Sequence, residues 1–316
     1  MPNAGKRGCG CPETTQMVKQ GAMWLMWMAL FPCAVFAQLI DNSRGISLVD
    51  DHRFNPAFVR ANKVSEISGS FSSKRESDII RESDENITYE FDRAGRLFKV
   101  ETSRMIRGQR EFNAIVYRYD SDGLLLDRIV ADIHGATSYR YTYDDQRRVI
   151  SETCSRMESP RDTLSTTGPK RTEIYTEQIR YTELENGEKR TTYNSYDKPY
   201  KEEWLILDEH GYLREHRTRF ITNNRMSSVK YDYNERGLLS EKIVRANMSI
   251  PDTLHFSYVY DDAGNLLEAY EKLNSESIRR IEYLYDEANW LMKARLAKDE
   301  ATEFIRIAQY KTAFFE

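Results

Sequence analysis

The pattern Tyr-x-Tyr-Asp-x-x-Gly-x-Leu recurs along most of this chain, and a repeat with a short, nearly fixed period constrains a fold more than any single residue does. The first copies are Tyr89-x-Phe91-Asp92 with Gly95 and Leu97, then Tyr117-x-Tyr119-Asp120 with Gly123 and Leu125. Tyr141-x-Tyr143-Asp144 follows, with Arg147 and Val149 in place of Gly and Leu. After a gap come Leu205-x-Leu207-Asp208 with Gly211 and Leu213, and Tyr231-x-Tyr233-Asn234 with Gly237 and Leu239. Tyr258-x-Tyr260-Asp261 with Gly264 and Leu266, and Tyr283-x-Tyr285-Asp286 with Asn289 and Leu291, complete the set. Successive Asp or Asn positions are 28, 24, 64, 26, 27 and 25 residues apart. A two-stranded hairpin with its two turns uses about that length. Tyr181 to Gly187 reads as a decayed further copy.

Each part of the pattern has a structural role. Tyrosines two apart point to one face of a strand, where cross-strand aromatic pairs contribute roughly 0.2–1 kcal/mol each. The Asp side chain accepts backbone hydrogen bonds, and Gly three positions later supplies the positive φ of a type I turn with a G1 bulge. Asn289 is a plausible substitute for that glycine, whereas Arg147 implies a strained turn. The Leu two residues further on returns to the aromatic face. The fold expected is all-β: a single antiparallel meander array forming a twisted or curled sheet of about sixteen or more strands, whose two edges must be covered.

The ends divide separately. Lys19, the apolar run from Ala22 to Phe36 and the small-residue site at Ala37 read as a signal peptide over residues 1–37, with Met17 as an alternative start. That run is short for a membrane span, which needs about 20 apolar residues. Residues 38–86 are expected to form an N-terminal cap with a lead-in strand. Residues 87–296 hold the hairpin repeats, with a loop insertion at 151–170, and residues 297–316 the strand of a terminal hairpin. Cys9, Cys11 and Cys33 fall in the leader, so Cys154 has no partner for an internal disulfide and is treated as incidental.

The repeats resemble the tyrosine-aspartate repeat family found in Rhs-type polymorphic toxins, insecticidal toxin-complex proteins, teneurins and short secreted bacterial proteins. The match runs from about Ile87 to Leu296. The resemblance implies a long antiparallel sheet that spirals into a ribbon or shell, sometimes around a toxin. No toxin domain is expected here, since only Met292 to Glu316 follow the last copy.

Little else points to chemistry. A net charge of −4 is too small to imply a polyanionic partner, and with no sustained basic stripe to neutralise a row of phosphates no nucleic-acid partner is expected. The five histidines are scattered, and Glu209-His210 and Glu215-His216 flank one turn without a zinc-like spacing. Asp120-x-Asp122-Gly123 and Asp261-Asp262-x-Gly264 lack a full calcium loop and read as turns. No catalytic, cofactor or metal residue is nominated. The expectation is an exported, non-catalytic scaffold binding a carbohydrate or an envelope protein, with an outer-membrane β-barrel as the alternative and an envelope enzyme a distant third. Mean hydropathy of −0.69, and charges such as Arg118, Arg140 and Asp232 beside the tyrosines, weigh against a lipid-facing wall.

Overall fold

The computed structural model describes residues 39–40, 54–157 and 170–316; the leader read at residues 1–37 lies outside them. Among the described residues one short helix precedes eighteen strands. These are α1 (Pro56–Ala61), β1 (Val64–Arg75), β2 (Arg81–Phe91), β3 (Leu97–Ile106), β4 (Gln109–Tyr119), β5 (Leu125–Asp132), β6 (Gly135–Tyr143) and β7 (Val149–Met157). They continue with β8 (Arg171–Leu184), β9 (Gly187–Tyr193), β10 (Pro199–Leu207), β11 (Leu213–Phe220), β12 (Arg225–Tyr233) and β13 (Leu239–Arg245). The last are β14 (Leu254–Tyr260), β15 (Leu266–Leu273), β16 (Glu276–Tyr285), β17 (Met292–Asp299) and β18 (Phe304–Phe314). The stretch read as a loop from residue 151 is therefore strand as far as Met157, and residues 158–169 lie outside the described set.

Every strand pairs antiparallel with its sequence neighbours, and β1 pairs with both β2 and β18. The expected open sheet with two edges is corrected to a closed up-and-down barrel. Closure is the most complete way to remove unpaired edge groups. Ser68 faces Lys311 on one side and Thr88 on the other, so the lead-in strand and the terminal hairpin complete the ring. Gly69 sits in this seam because a Cβ there would lie 2.9 Å from both Ile87 Cγ2 and the Tyr310 ring.

Seven turns repeat the sequence pattern at one rim. At Asp120 the backbone N–H donates to Leu124 O at 2.9 Å, Gly123 N–H donates back to Asp120 O, and Oδ1 accepts from the Asp122 and Leu124 amides. Arg147 takes the glycine position at φ 64° and its guanidinium donates to Asp122 O at 2.8 Å, so the third turn keeps its shape. Two readings change. The last turn is one residue longer, with Trp290 and not Asn289 in the left-handed region at φ 58°. Tyr181 to Gly187 is not a decayed turn of this type, because β8 runs on to Leu184, which pairs with Gly187 across a two-residue hairpin.

One further turn of this kind lies outside the tyrosine-led pattern. Asn194 Oδ1 accepts from the Tyr196 and Lys198 amides, and Asp197 takes the glycine position at φ 54°. It joins β9 to β10 at the opposite rim. Its sequence signal was Tyr193-Asn194 followed three residues later by Asp197 and then Pro199.

Strand stagger decides which face lies inside. The row that starts at Ile67 passes through Tyr89, Val100, Ile115, Val130, Thr137, Arg156 and Thr172, then runs off the end of β9, which pairs with β8 only from Gln178. With right-handed strand twist and L-residues, that tilt turns the tyrosine face inward. Eighteen strands at about 4.8 Å spacing and roughly 40° tilt make a ring roughly 35 Å across, wide enough for a lumen.

The apolar core is accordingly divided into patches on the wall. The largest gathers Tyr89, Phe91, Val100, Leu291 and Met292 against Leu39, Phe58 and Val59. The helix exists because Asn55 Oδ1 caps it, accepting from Ala57 N at 3.0 Å and Phe58 N at 3.4 Å, and Pro56 pre-sets its first turn. Gly95, at φ 83°, lets it dock at the rim, since a Cβ there would meet Pro56 O at 2.1 Å. A second patch surrounds Tyr231 with Leu205, Leu213 and Leu239.

Tyr231→Ala is expected to lower unfolding free energy by about 3 kcal/mol in chemical denaturation, as for other buried aromatic deletions. Arg147→Gly exchanges left-handed strain of about 1 kcal/mol against one exposed hydrogen bond and is expected to be neutral or mildly stabilising in the same assay.

Candidate functional sites

The repeat residues are spent on the wall. Asp92, Asp120, Asp144, Asp261 and Asp286 each accept amides of their own turn. The second tyrosine of a repeat reaches back to the preceding hairpin. Tyr119 Oη donates to Leu97 O, Tyr143 to Leu125 O, Tyr233 to Leu213 O, Tyr260 to Leu239 O and Tyr285 to Leu266 O, all at 2.7–2.9 Å. Tyr181 does the same with Val149 O although no such turn follows it. The remaining repeat residues, Tyr89, Tyr117, Tyr141, Tyr231, Tyr258, Tyr283, Gly95, Gly123, Gly237 and Gly264, complete these rows and turns.

Inside the barrel, two cross-strand rows bring together titratable groups that the sequence did not single out. One row is Tyr117, Arg128, Tyr139, Cys154 and Tyr175, with the Arg128 guanidinium 4.6 Å from the Tyr139 ring centre. The next is Tyr141, Glu152 and Glu177, and Tyr200 Oη donates to Glu177 Oε1 at 2.6 Å. Two carboxylates directly opposite each other repel. Burial first and the Glu177 charge second hold the Glu152 carboxyl above the ordinary carboxylate range. Burial, then Glu152, pushes Tyr141 up to about 12. Burial likewise raises the Cys154 thiol, which is unsuited to nucleophilic work.

Next along the wall, Glu203 contacts Lys201 Nζ at 3.0 Å and His216 Nε2 at 3.2 Å. Burial alone would raise this carboxyl, but the His216 hydrogen bond and the Lys201 charge override it and bring it to about 2. His216 thus serves Glu203, while His210 stands in the exposed turn beside Glu209. Among the described residues no group of three or more His, Cys, Asp or Glu side chains is arranged to hold a metal.

The outer face carries charge on most strands, tied in ladders such as Lys99 to Glu90 at 2.9 Å, Lys189 to Glu202 at 2.6 Å and Arg280 to Glu268 at 2.8 Å. A groove of about 800 Å³ runs along the seam, crossing β17, β18, β1, β2, β3 and β4. Ser70, Asn86, Thr88, Ser103 and Gln309 give it neutral hydrogen-bonding groups. Arg110, Lys293 and Lys311 give it positive charge, Phe112 gives it an exposed ring, and no Asp or Glu lines it. These residues are the alternates of the tyrosines in each strand, and nothing in their local sequence distinguishes them from ordinary solvated positions.

No family model matches the chain, and no curated protein matches it. Among solved structures, a porin-like protein from Bacteroides uniformis shares 13% identity over 80% of this chain and 97% of its own, with a TM-score of 0.38. The Tc holotoxin pore of Photorhabdus luminescens shares 13% over 74% of this chain and 12% of its own, with a TM-score of 0.30. A LolA superfamily protein from Nitrosomonas europaea shares 8% over 82% and 92%, with a TM-score of 0.19. The closed barrel described above rests on strand pairing and not on these likenesses.

The two inner carboxyls have opposite pH signatures. Glu203 titrates below its unfolded value near 4.5, so its stabilisation is complete above about pH 4.5 and is lost as pH falls towards 2. Glu203→Gln is expected to cost on the order of 2–3 kcal/mol at neutral pH and to flatten the acid limb of the stability curve. Glu152 titrates above 4.5, so its ionisation opposes folding. Glu152→Gln is expected to raise the denaturation midpoint at pH 7, with the gain vanishing below about pH 4.5, where the carboxyl is protonated folded or unfolded.

Proposed function

We propose that this chain is an exported, non-catalytic hollow barrel of the tyrosine-aspartate repeat kind that binds a carbohydrate or protein partner at the cell envelope. The observation that carries the reading is how the side chains are used. Turn carboxylates and ladder tyrosines are committed to the wall, the lone thiol of Cys154 is buried, and a polar groove with an aromatic ring lies open along the seam. Such a lining suits a ligand rich in hydroxyls or amides, which needs orienting hydrogen bonds and one apolar platform.

Closure brings the molecule nearer to the barrel alternative than to an open scaffold. A barrel embedded in an outer membrane is therefore the second reading. It requires an apolar outer band about 25 Å tall. The Lys99, Lys189 and Arg280 ion pairs on the outward face favour an aqueous setting instead. No helix among the described residues is long and apolar enough to cross a membrane, which leaves a strand-built span to experiment.

Expression of the full chain with its leader, followed by fractionation, separates the two. Release into an aqueous envelope fraction without detergent is the expected outcome. Retention through alkaline carbonate, with extraction only by detergent, would establish the membrane barrel, and recovery in the cytoplasm would overturn the envelope assignment altogether.

A further inference from the structure

We infer that the seam groove is a binding site for a negatively charged saccharide. The inference rests on the binding reading above and names its ligand class. At about 800 Å³ the groove lies within the range of roughly 300–1,000 Å³ of small-molecule sites. Its floor is built from alternate residues of adjacent strands, so its donors and acceptors sit on the most constrained part of the wall: β1 is fixed by partners on both sides. Sites carried on strands hold their geometry better than sites on loops.

Charge selects the ligand within the sugar class. Arg110, Lys293 and Lys311 line the groove without a facing carboxylate in the lining. Lys293 shares its charge with Asp286 at 2.7 Å, so it contributes less. Among the described residues neither Arg110 nor Lys311 is held in a salt bridge. Arg110 commits one N–H to Ser103 Oγ at 3.0 Å, which orients the guanidinium along β4 and leaves its remaining donors for a ligand. A planar guanidinium matches a carboxylate or sulfate in two-point contact, and Lys311 adds a point charge. Phe112, 49% exposed, offers a ring face for the apolar side of a pyranose, while Ser70, Asn86, Thr88 and Gln309 meet its hydroxyls. A neutral glycan would leave two cations of the lining unused.

Calorimetric titration of the full mature chain with tetragalacturonate, its methyl ester and a heparin tetrasaccharide tests this. The charged oligosaccharides are expected to bind at least tenfold more tightly than the ester and to weaken as salt rises. Arg110→Gln with Lys311→Gln should lose at least tenfold in affinity at unchanged melting temperature, both side chains being exposed. Ser70→Glu, which adds an anion to the groove, should abolish binding while leaving the fold intact. Equal affinity for the ester overturns the charge selection and leaves carbohydrate binding standing. Binding by none of the three overturns the inference, and the envelope reading is then judged by fractionation alone. Binding that survives all the substitutions places the ligand elsewhere and overturns the groove as the site.

Discussion

Everything in this molecule depends on β1 finding β18. The other pairings join strands that are neighbours in sequence, and the tyrosine ties span only 18 to 32 residues. The seam instead joins residues some 240 apart, as Ser68 and Lys311 show. Loop-closure entropy makes that contact costly for a free chain, but it grows only slowly with length, and any ordering of the intervening meander reduces it. Without the seam, β1 and β18 would each present a row of unpaired backbone groups to solvent, an invitation to pair with another chain. The seam is also where two other features converge: α1 docks on the wall beside it, and the groove runs along it.

Between seam and seam, the wall is propagated by one tie repeated. The turn Asp organises its own loop, the Leu after the turn offers a carbonyl, and the second Tyr of the next hairpin donates to it. The phenol is thus fixed at its polar tip while its ring packs in the aromatic row. Arginine planes lie over several of these rings, as Arg96 does over Tyr119 at 4.8 Å and Arg148 over Tyr181 at 4.5 Å, covering their apolar faces. The consequence is a protein whose apolar contacts form separate patches on a wall.

The local part of this was legible in the sequence and the global part was not. Tyrosines two apart, Asp and a glycine three residues on are short-range signals, and they located seven turns to the residue, missing only that Trp290 rather than Asn289 takes the left-handed position. The Asn194 turn escaped because Thr191 and Pro199 stand where the pattern has its first Tyr and its Leu, although the side-chain chemistry of the turn is the same. Closure left no local mark. A strand completing a ring has the same alternation as a strand at an edge, so residues 38–86 read only as a cap with a lead-in strand, where the structure has the ring-closing β1. The inner cluster was hidden for a related reason: Glu152 and Glu177 are ordinary glutamates until register sets them face to face.

That opposed pair shows what a strand clamped between two neighbours can impose that a free hairpin cannot. In a free hairpin, two like charges in register would be relieved by a slip of one residue, at the cost of turning every side chain over. Here β7 and β8 are each held on both sides, so the register is not available as an escape. The repulsion shows instead in proton affinity: Glu152 is held above the ordinary carboxylate range by burial and then by the Glu177 charge, and Tyr200 donates a hydrogen bond to Glu177. The same rigidity that makes the carboxylates repel makes the Ser70, Thr88 and Gln309 positions of the groove hold still. Both follow from each strand being clamped between two neighbours, with no edge left along which strain could be relaxed.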